Sequence, residues 1–339
     1  MTPLAPQAFV LGRVGADLYP LQLNTPLEAV RTFERFVGGF AGNVATGLAR
    51  LGVRVAILSA VGDDGHGRFI RTFLAAEGVD VRWLRVHPTL RTALAFCEAW
   101  PPDRFPITFY RTPTCPDWEL RPEDLPLDVV AVAPVLYVSG TGFAREPSRS
   151  TTFAALASRP AAGAGLLPAT VLDLDWRDQL WDDPGDYAAQ IREAASRATI
   201  VLGSTGEFAA ARLDPDEALA LGPRLVVLKR GPEGAAVIER TGRVDVPGLP
   251  VPVVNGLGAG DAFAAAFGAA LLAGLAPHQA VSRANAAGAI VAARLSCSTA
   301  MPRPWEIDTL LAGGRVVDGE VLPRASAYRK NRSRRRPSS

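Results

Sequence analysis

From residue 129 onward, short apolar runs alternate with segments of helical spacing, and this alternation constrains the fold more than any other feature. Runs at 135–139, 170–174, 199–202, 225–229 and 235–238 read as strands. Segments 148–157, 186–197 and 217–220 between them read as helices. Strands separated by helices pair in parallel, with helices covering both faces of the sheet. The N-terminal part follows the same rule, with strands at 9–11, 53–61 and 79–86 and helices at 44–51 and 67–77. Helices at 277–294 and 304–312 close the pattern. The expected class is therefore α/β, with a doubly wound, mostly parallel sheet. Two stretches depart from it. Residues 92–100 and 107–111 alternate apolar and polar side chains across a Pro-Pro-Asp-Arg turn, as a hairpin does. A short run at 33–37 is strand-like too. Together these suggest a small accessory sheet, built from about 13–37 and 91–111, of the kind that acts as a lid.

The second constraint is a glycine turn late in the chain. Val251, Val253 and Val254 form a β-branched run that reads as a strand. It stops at Gly256, Gly258 and Gly260, and Asp261 and an almost uncharged helix follow. Such a turn brings a ligand against bare N–H groups. The helix start adds free donors and the positive end of a dipole, which makes an anion site. Asp261 then has two readings: a general base toward an attacking hydroxyl, or the cap of a buried helix. No G-x-x-x-x-G-K-[ST] is present, which excludes a P-loop. The G-x-G-x-G spacing, late in the chain, does not suit a dinucleotide site. A second glycine turn, Gly38 and Gly39 with Asn43, precedes the 44–51 helix. Asp17 lies just past the first strand, where open α/β sheets bind ligands.

Charge separates the body from the tail. The chain has 36 Lys and Arg against 34 Asp and Glu, but seven of the basic residues lie in 324–339, which has no acid. Positions 1–323 thus carry 29 basic and 34 acidic residues, a net of −5. The reading is one domain over 8–323 and a basic, disordered tail over 324–339. A salt-sensitive association of that tail with nucleic acid is not expected. Cys97, Cys115 and Cys297 are few and scattered, which suits a reducing, cytoplasmic setting and no disulfide framework. His66, His87 and His278 have no metal-ligand spacing. No secretory signal is expected, and the longest apolar stretch, 262–273, is too short to span a bilayer.

Three motifs in order identify a likeness. Gly38-Gly39-Phe-Ala-Gly42-Asn43, Lys229-Arg-Gly231-Pro-Glu-Gly234 and Gly258-Ala259-Gly260-Asp261 resemble the PfkB/ribokinase family of carbohydrate kinases over about 8–312. The resemblance implies the ribokinase-like fold with a β lid, ATP and Mg²⁺, and phosphoryl transfer to a sugar hydroxyl. It assigns Asp261 as base and the N–H groups of Leu257 to Asp261, including Gly258, Ala259 and Gly260, as the anion hole. Asp17, Gly39 and Asn43 would hold sugar hydroxyls. Lys229, Gly231 and Gly234 would line the nucleotide, with Asn285 near the base, and Glu207 would organise Mg²⁺ through water. The likeness extends to substrate-half stretches such as Asp173-Leu-Asp175-Trp-Arg177 and Tyr110-Arg111, and it implies a keto-deoxy sugar acid as acceptor, with Arg111 and Arg177 on its carboxylate. Other family acceptors are 2-keto-3-deoxygluconate, fructose or a nucleoside, and a sugar- or nucleotide-binding regulator is the non-enzymatic alternative. Two departures stand out. Ser204-Thr-Gly-Glu207 replaces N-x-x-E, and Asn255-Gly256 replaces an Asp-Thr tied to a monovalent-cation site, which argues against activation by potassium. A homodimer is the expected assembly.

Overall fold

Apolar alternation becomes two buried layers around one sheet. The computed structural model describes residues 4–160 and 165–324. In chain order the strands of the two larger sheets are β1 (Ala8–Leu11), β2 (Gly15–Pro20), β3 (Phe33–Gly38), β4 (Val55–Gly62), β5 (Leu84–His87), β6 (Leu94–Cys97), β7 (Ile107–Tyr110), β8 (Val135–Ser139), β9 (Ala169–Asp173), β10 (Ile200–Ser204), β11 (Leu225–Lys229), β12 (Ala235–Glu239) and β13 (Gly242–Val246). The main helices are α1 (Phe40–Arg50), α2 (Gly65–Ala76), α3 (Leu127–Val132), α4 (Ser148–Ser158), α5 (Tyr187–Ser196), α6 (Thr205–Ala210), α7 (Pro215–Ala220), α8 (Ala259–Leu272), α9 (Pro277–Ala292) and α10 (Pro304–Leu311).

Nine strands form the main sheet in the order β13-β12-β11-β10-β9-β8-β1-β4-β5. From β5 to β11 the pairs are parallel, and β12 and β13 add antiparallel at one edge. Neighbouring side chains on a strand point to opposite faces. In β1, Ala8 and Val10 pack with residues of α1, α8 and α9, while Phe9 and Leu11 pack with residues of α4 and α5. A second sheet of four strands runs β3-β2-β6-β7, with β2 and β6 parallel and both outer pairs antiparallel. No described helix is long and apolar enough to cross a membrane. The basic stretch 325–339 lies outside the described residues.

Two local expectations are corrected. The run 251–254 is not a strand: Pro252 has no N–H to offer, and the N–H groups of Val254 and Asn255 both go to the Ala292 carbonyl, at 2.8 and 3.1 Å. Asp17 lies just past β1, within β2 of the small sheet, inside the 13–37 stretch expected to build it. Helix α1 starts at Phe40, because Gly39 supplies the turn at its N-cap.

Candidate active site

The functional side chains gather at the C-terminal ends of the parallel strands, where this sheet class binds ligands. Arg13 follows β1, Thr141 follows β8, Asp173 ends β9 with Asp175 just beyond, Glu207 follows β10 and Lys229 ends β11. Helix α8 delivers Asp261. Its N-cap is Gly258 at φ 80°, a left-handed position that favours glycine. A Cβ there would also lie 2.7 Å from the Cys297 Sγ. Ala259, Gly260 and Asp261 form the first turn, whose N–H groups have no partner inside a helix. Asp261 is therefore not the cap. Its carboxylate instead accepts a 2.7 Å hydrogen bond from Asn43 Nδ2. Of the N–H groups expected to hold an anion, that of Leu257 is already donated to Asn255 Oδ1 at 3.1 Å.

Helix α1 brings the second glycine turn to the same place. Gly39 caps it at φ 82°, and a Cβ there would meet the Arg13 carbonyl at 2.6 Å. One cavity is lined by Asp17, Gly39, Asn43, Arg111, Arg177, Gly258 and Asp261, so the predicted base, anion turn and acceptor residues converge. Asn43 is buried, and its Oδ1 has no partner among the described residues. A hollow of about 770 Å³ at the opposite end of the strands, beside Thr199 and Arg224, contains none of these groups.

Burial governs the electrostatics. It pushes the Asp261 carboxyl up to about 6, with the Asp175 charge adding and the Asn43 hydrogen bond opposing. Burial likewise pushes Asp17 up to about 7, against the pull of Arg13. Burial would raise Asp175 too, but Arg13 and Arg177 hold it below the usual carboxylate range.

The arginines divide by environment. Arg111 is buried, its Nη2 lies 2.5 Å from Asp117 Oδ1, and its guanidinium stacks 4.4 Å over Trp118. Arg177 is more open, with its side chain 41% exposed and its Nε 3.6 Å from Asp175. Arg13, Thr141, Asp117 and Asp175 carried no role in the sequence reading. Arg13 lines the cavity and donates to Thr141 Oγ1 and Asp175 Oδ2, each at 2.7 Å. Asp175 sits at φ 34°, an uncommon backbone for a non-glycine residue. The partners are 128 and 162 residues apart, a separation no local motif reveals.

A neighbouring group flanks the anion turn. Lys229 Nζ lies 3.0 Å from Asp173 and 3.7 Å from Glu207, and is 3.6 Å from where a Cβ on Gly260 would stand. Burial would lower the lysine, but Asp173 and Glu207 raise it further, so it stays charged. Glu207 also accepts the Ser204 N–H at 2.6 Å, and Ser204 caps α6 in return. Gly231 and Gly234 turn the chain at φ 56° and 94°, and the Asn285 amide donates to the Val246 and Pro247 carbonyls beside them.

Residues 5–304 match the profile of the pfkB family carbohydrate kinases. The chain belongs to that family. This kinase is 31% identical over 327 residues to 5-dehydro-2-deoxygluconokinase of Clostridium tetani, covering 93% of this chain and 95% of the relative. It is 33% identical over 311 residues to the protein of the same name from Shouchella clausii, covering 89% and 94%. Its fold is similar to that of a fructokinase from Vibrio cholerae with fructose, ADP and a calcium ion bound, at a TM-score of 0.77 and 27% identity over 90% of this kinase and 99% of that one.

Proposed function

We propose that this kinase transfers the γ-phosphoryl group of ATP to the terminal hydroxyl of 5-dehydro-2-deoxygluconate, giving the 6-phosphate. The observation that carries the reading is the half-buried Asp261 carboxylate beside the first-turn N–H groups of α8, in one cavity with Arg111 and Arg177. The relatives' shared name supports the acceptor.

The roles follow from the chemistry of each group. Asp261 takes the proton of the attacking hydroxyl, and a carboxyl poised near 6 is ionised at neutral pH yet basic enough to do so. The N–H groups of Gly258, Ala259, Gly260 and Asp261 face the charge that spreads over the transferring group. Asn43 holds the base through its Nδ2 and has Oδ1 free to accept a sugar hydroxyl, with Asp17 and Gly39 alongside. Arg111 and Arg177 receive the carboxylate, a match for guanidinium geometry. Lys229, Gly231, Gly234 and Asn285 border the nucleotide. Mg²⁺ favours oxygen ligands, one or two carboxylates and retained waters. Glu207, with Asp173 nearby, fits that preference and would hold the ion, which neutralises phosphate charge when bound.

The four-stranded sheet is read as the lid over this cavity, since Ala95, Ile107 and Phe109 line it. Its other side carries Phe33, Phe96 and the exposed Tyr110 in edge-to-face contact, a surface suited to a second copy in a homodimer. Three free cysteines fit a cytoplasmic setting. The test is ADP release with a panel of acceptors. The reading expects the highest kcat/KM with the keto-deoxy acid, and a preference for fructose or a nucleoside would refute it.

A further inference from the structure

The anion turn is held in place by one fully buried side chain, Asn255. Its Oδ1 accepts the Leu257 N–H at 3.1 Å, which fixes the residue that enters the turn. Its Nδ2 donates to the Leu295 carbonyl at 2.6 Å. Leu295 belongs to the segment that follows α9 and continues to Cys297, the residue packed against Gly258. The partners also fix which way the amide points: an N–H can only donate and a carbonyl can only accept.

An amide suits both partners at once, and an ionised carboxylate does not. Aspartate at 255 would set two oxygen acceptors face to face across the Leu295 contact. While that carboxylate is ionised, a cation between them is what would reconcile the pair. The residues here do not fit such an ion. The Asn255 Nδ2 amide already donates to the Leu295 carbonyl, and Gly256 has no side-chain oxygen to contribute.

We propose that Asn255 is the positioning residue of the anion turn and stands in for a monovalent cation there, so that this kinase works without potassium and Asn255→Asp creates a requirement for it. The inference rests on the kinase reading for its activity readout, so ATP affinity is measured alongside. Turnover and the Kd for ATP are measured for the full chain in tetramethylammonium buffer, with and without potassium. Wild type should change by less than about twofold, since the Asn255 amide already meets the Leu295 carbonyl and Gly256 offers no side-chain oxygen. Asn255→Asp should lose about tenfold or more in kcat/KM for ATP without potassium, the scale of an orphaned buried acceptor, and regain most of it with potassium. Asn255→Ala should lose activity and not respond.

Stimulation of wild type several-fold by potassium would overturn the proposal. So would an Asn255→Asp variant that is fully active without potassium, or one that potassium does not rescue. The wild-type titration decides even if a variant fails to fold. Wild type that does not phosphorylate the acid would sink the acceptor assignment alone, and the potassium response of ATP affinity would still decide the role of Asn255.

Discussion

Asn43→Ala isolates the contact that sets the base. The Asn43 Nδ2 hydrogen bond favours the ionised form of Asp261, so its loss must raise the carboxyl. A hydrogen bond to a charged group contributes about 1.5–3 kcal/mol, and about 1.4 kcal/mol moves a pKa by one unit. The acid limb of kcat/KM should therefore move from about 6 to between about 7 and 8. At pH 7 the ionised fraction of Asp261 falls from about nine-tenths to between about half and one-tenth, and it recovers at pH 9. Asn43 also faces the acceptor, so the variant loses binding as well. That loss scales the whole profile, however, and leaves the position of the limb unchanged. The assay is ADP release across pH 5–9, with folding checked at each end. A limb that stays near 6 would refute the assignment of Asp261 as the titrating base held by Asn43.

Arg177→Ala should raise KM for the keto-deoxy acid by about tenfold or more while leaving a neutral sugar nearly unaffected, since a charge-assisted hydrogen bond is lost; equal effects on both acceptors would remove Arg177 from the carboxylate site. Arg111→Ala should also lower the melting temperature, because it strands the buried Asp117 at a cost of about 3–5 kcal/mol; unfolding curves read this directly. Gly258→Ala forces a side chain into a left-handed position against Cys297, costing about 1–2 kcal/mol for the backbone alone and weakening ATP turnover. Pairing it with Cys297→Ala should restore part of the loss, as a double-mutant cycle would report.

Much of the fold was legible because strands buried on both faces are written as continuous apolar runs, and β8 to β12 fall within a residue or two of their predicted places. The glycine turns were legible because positive φ and close backbone approach leave few alternatives to glycine. Other features had no local signature. Strand β13 is mostly exposed, so its Gly-Arg-Val-Asp-Val carries no apolar run. The 251–254 valines looked like a strand but serve as a connector ending at Asn255. Arg13 and Asp175 meet only because β1 and β9 end side by side across β8, and Asp117 reaches Arg111 through packing beside the small sheet.

Asp261→Asn tests the central claim most directly. The amide keeps the size of the carboxylate but cannot take a proton from the attacking hydroxyl. The Kd values for ATP and for the acid, measured by calorimetry, should stay within a few-fold of wild type, while turnover falls by about a hundredfold or more. Turnover close to wild type with both ligands bound would contradict the account.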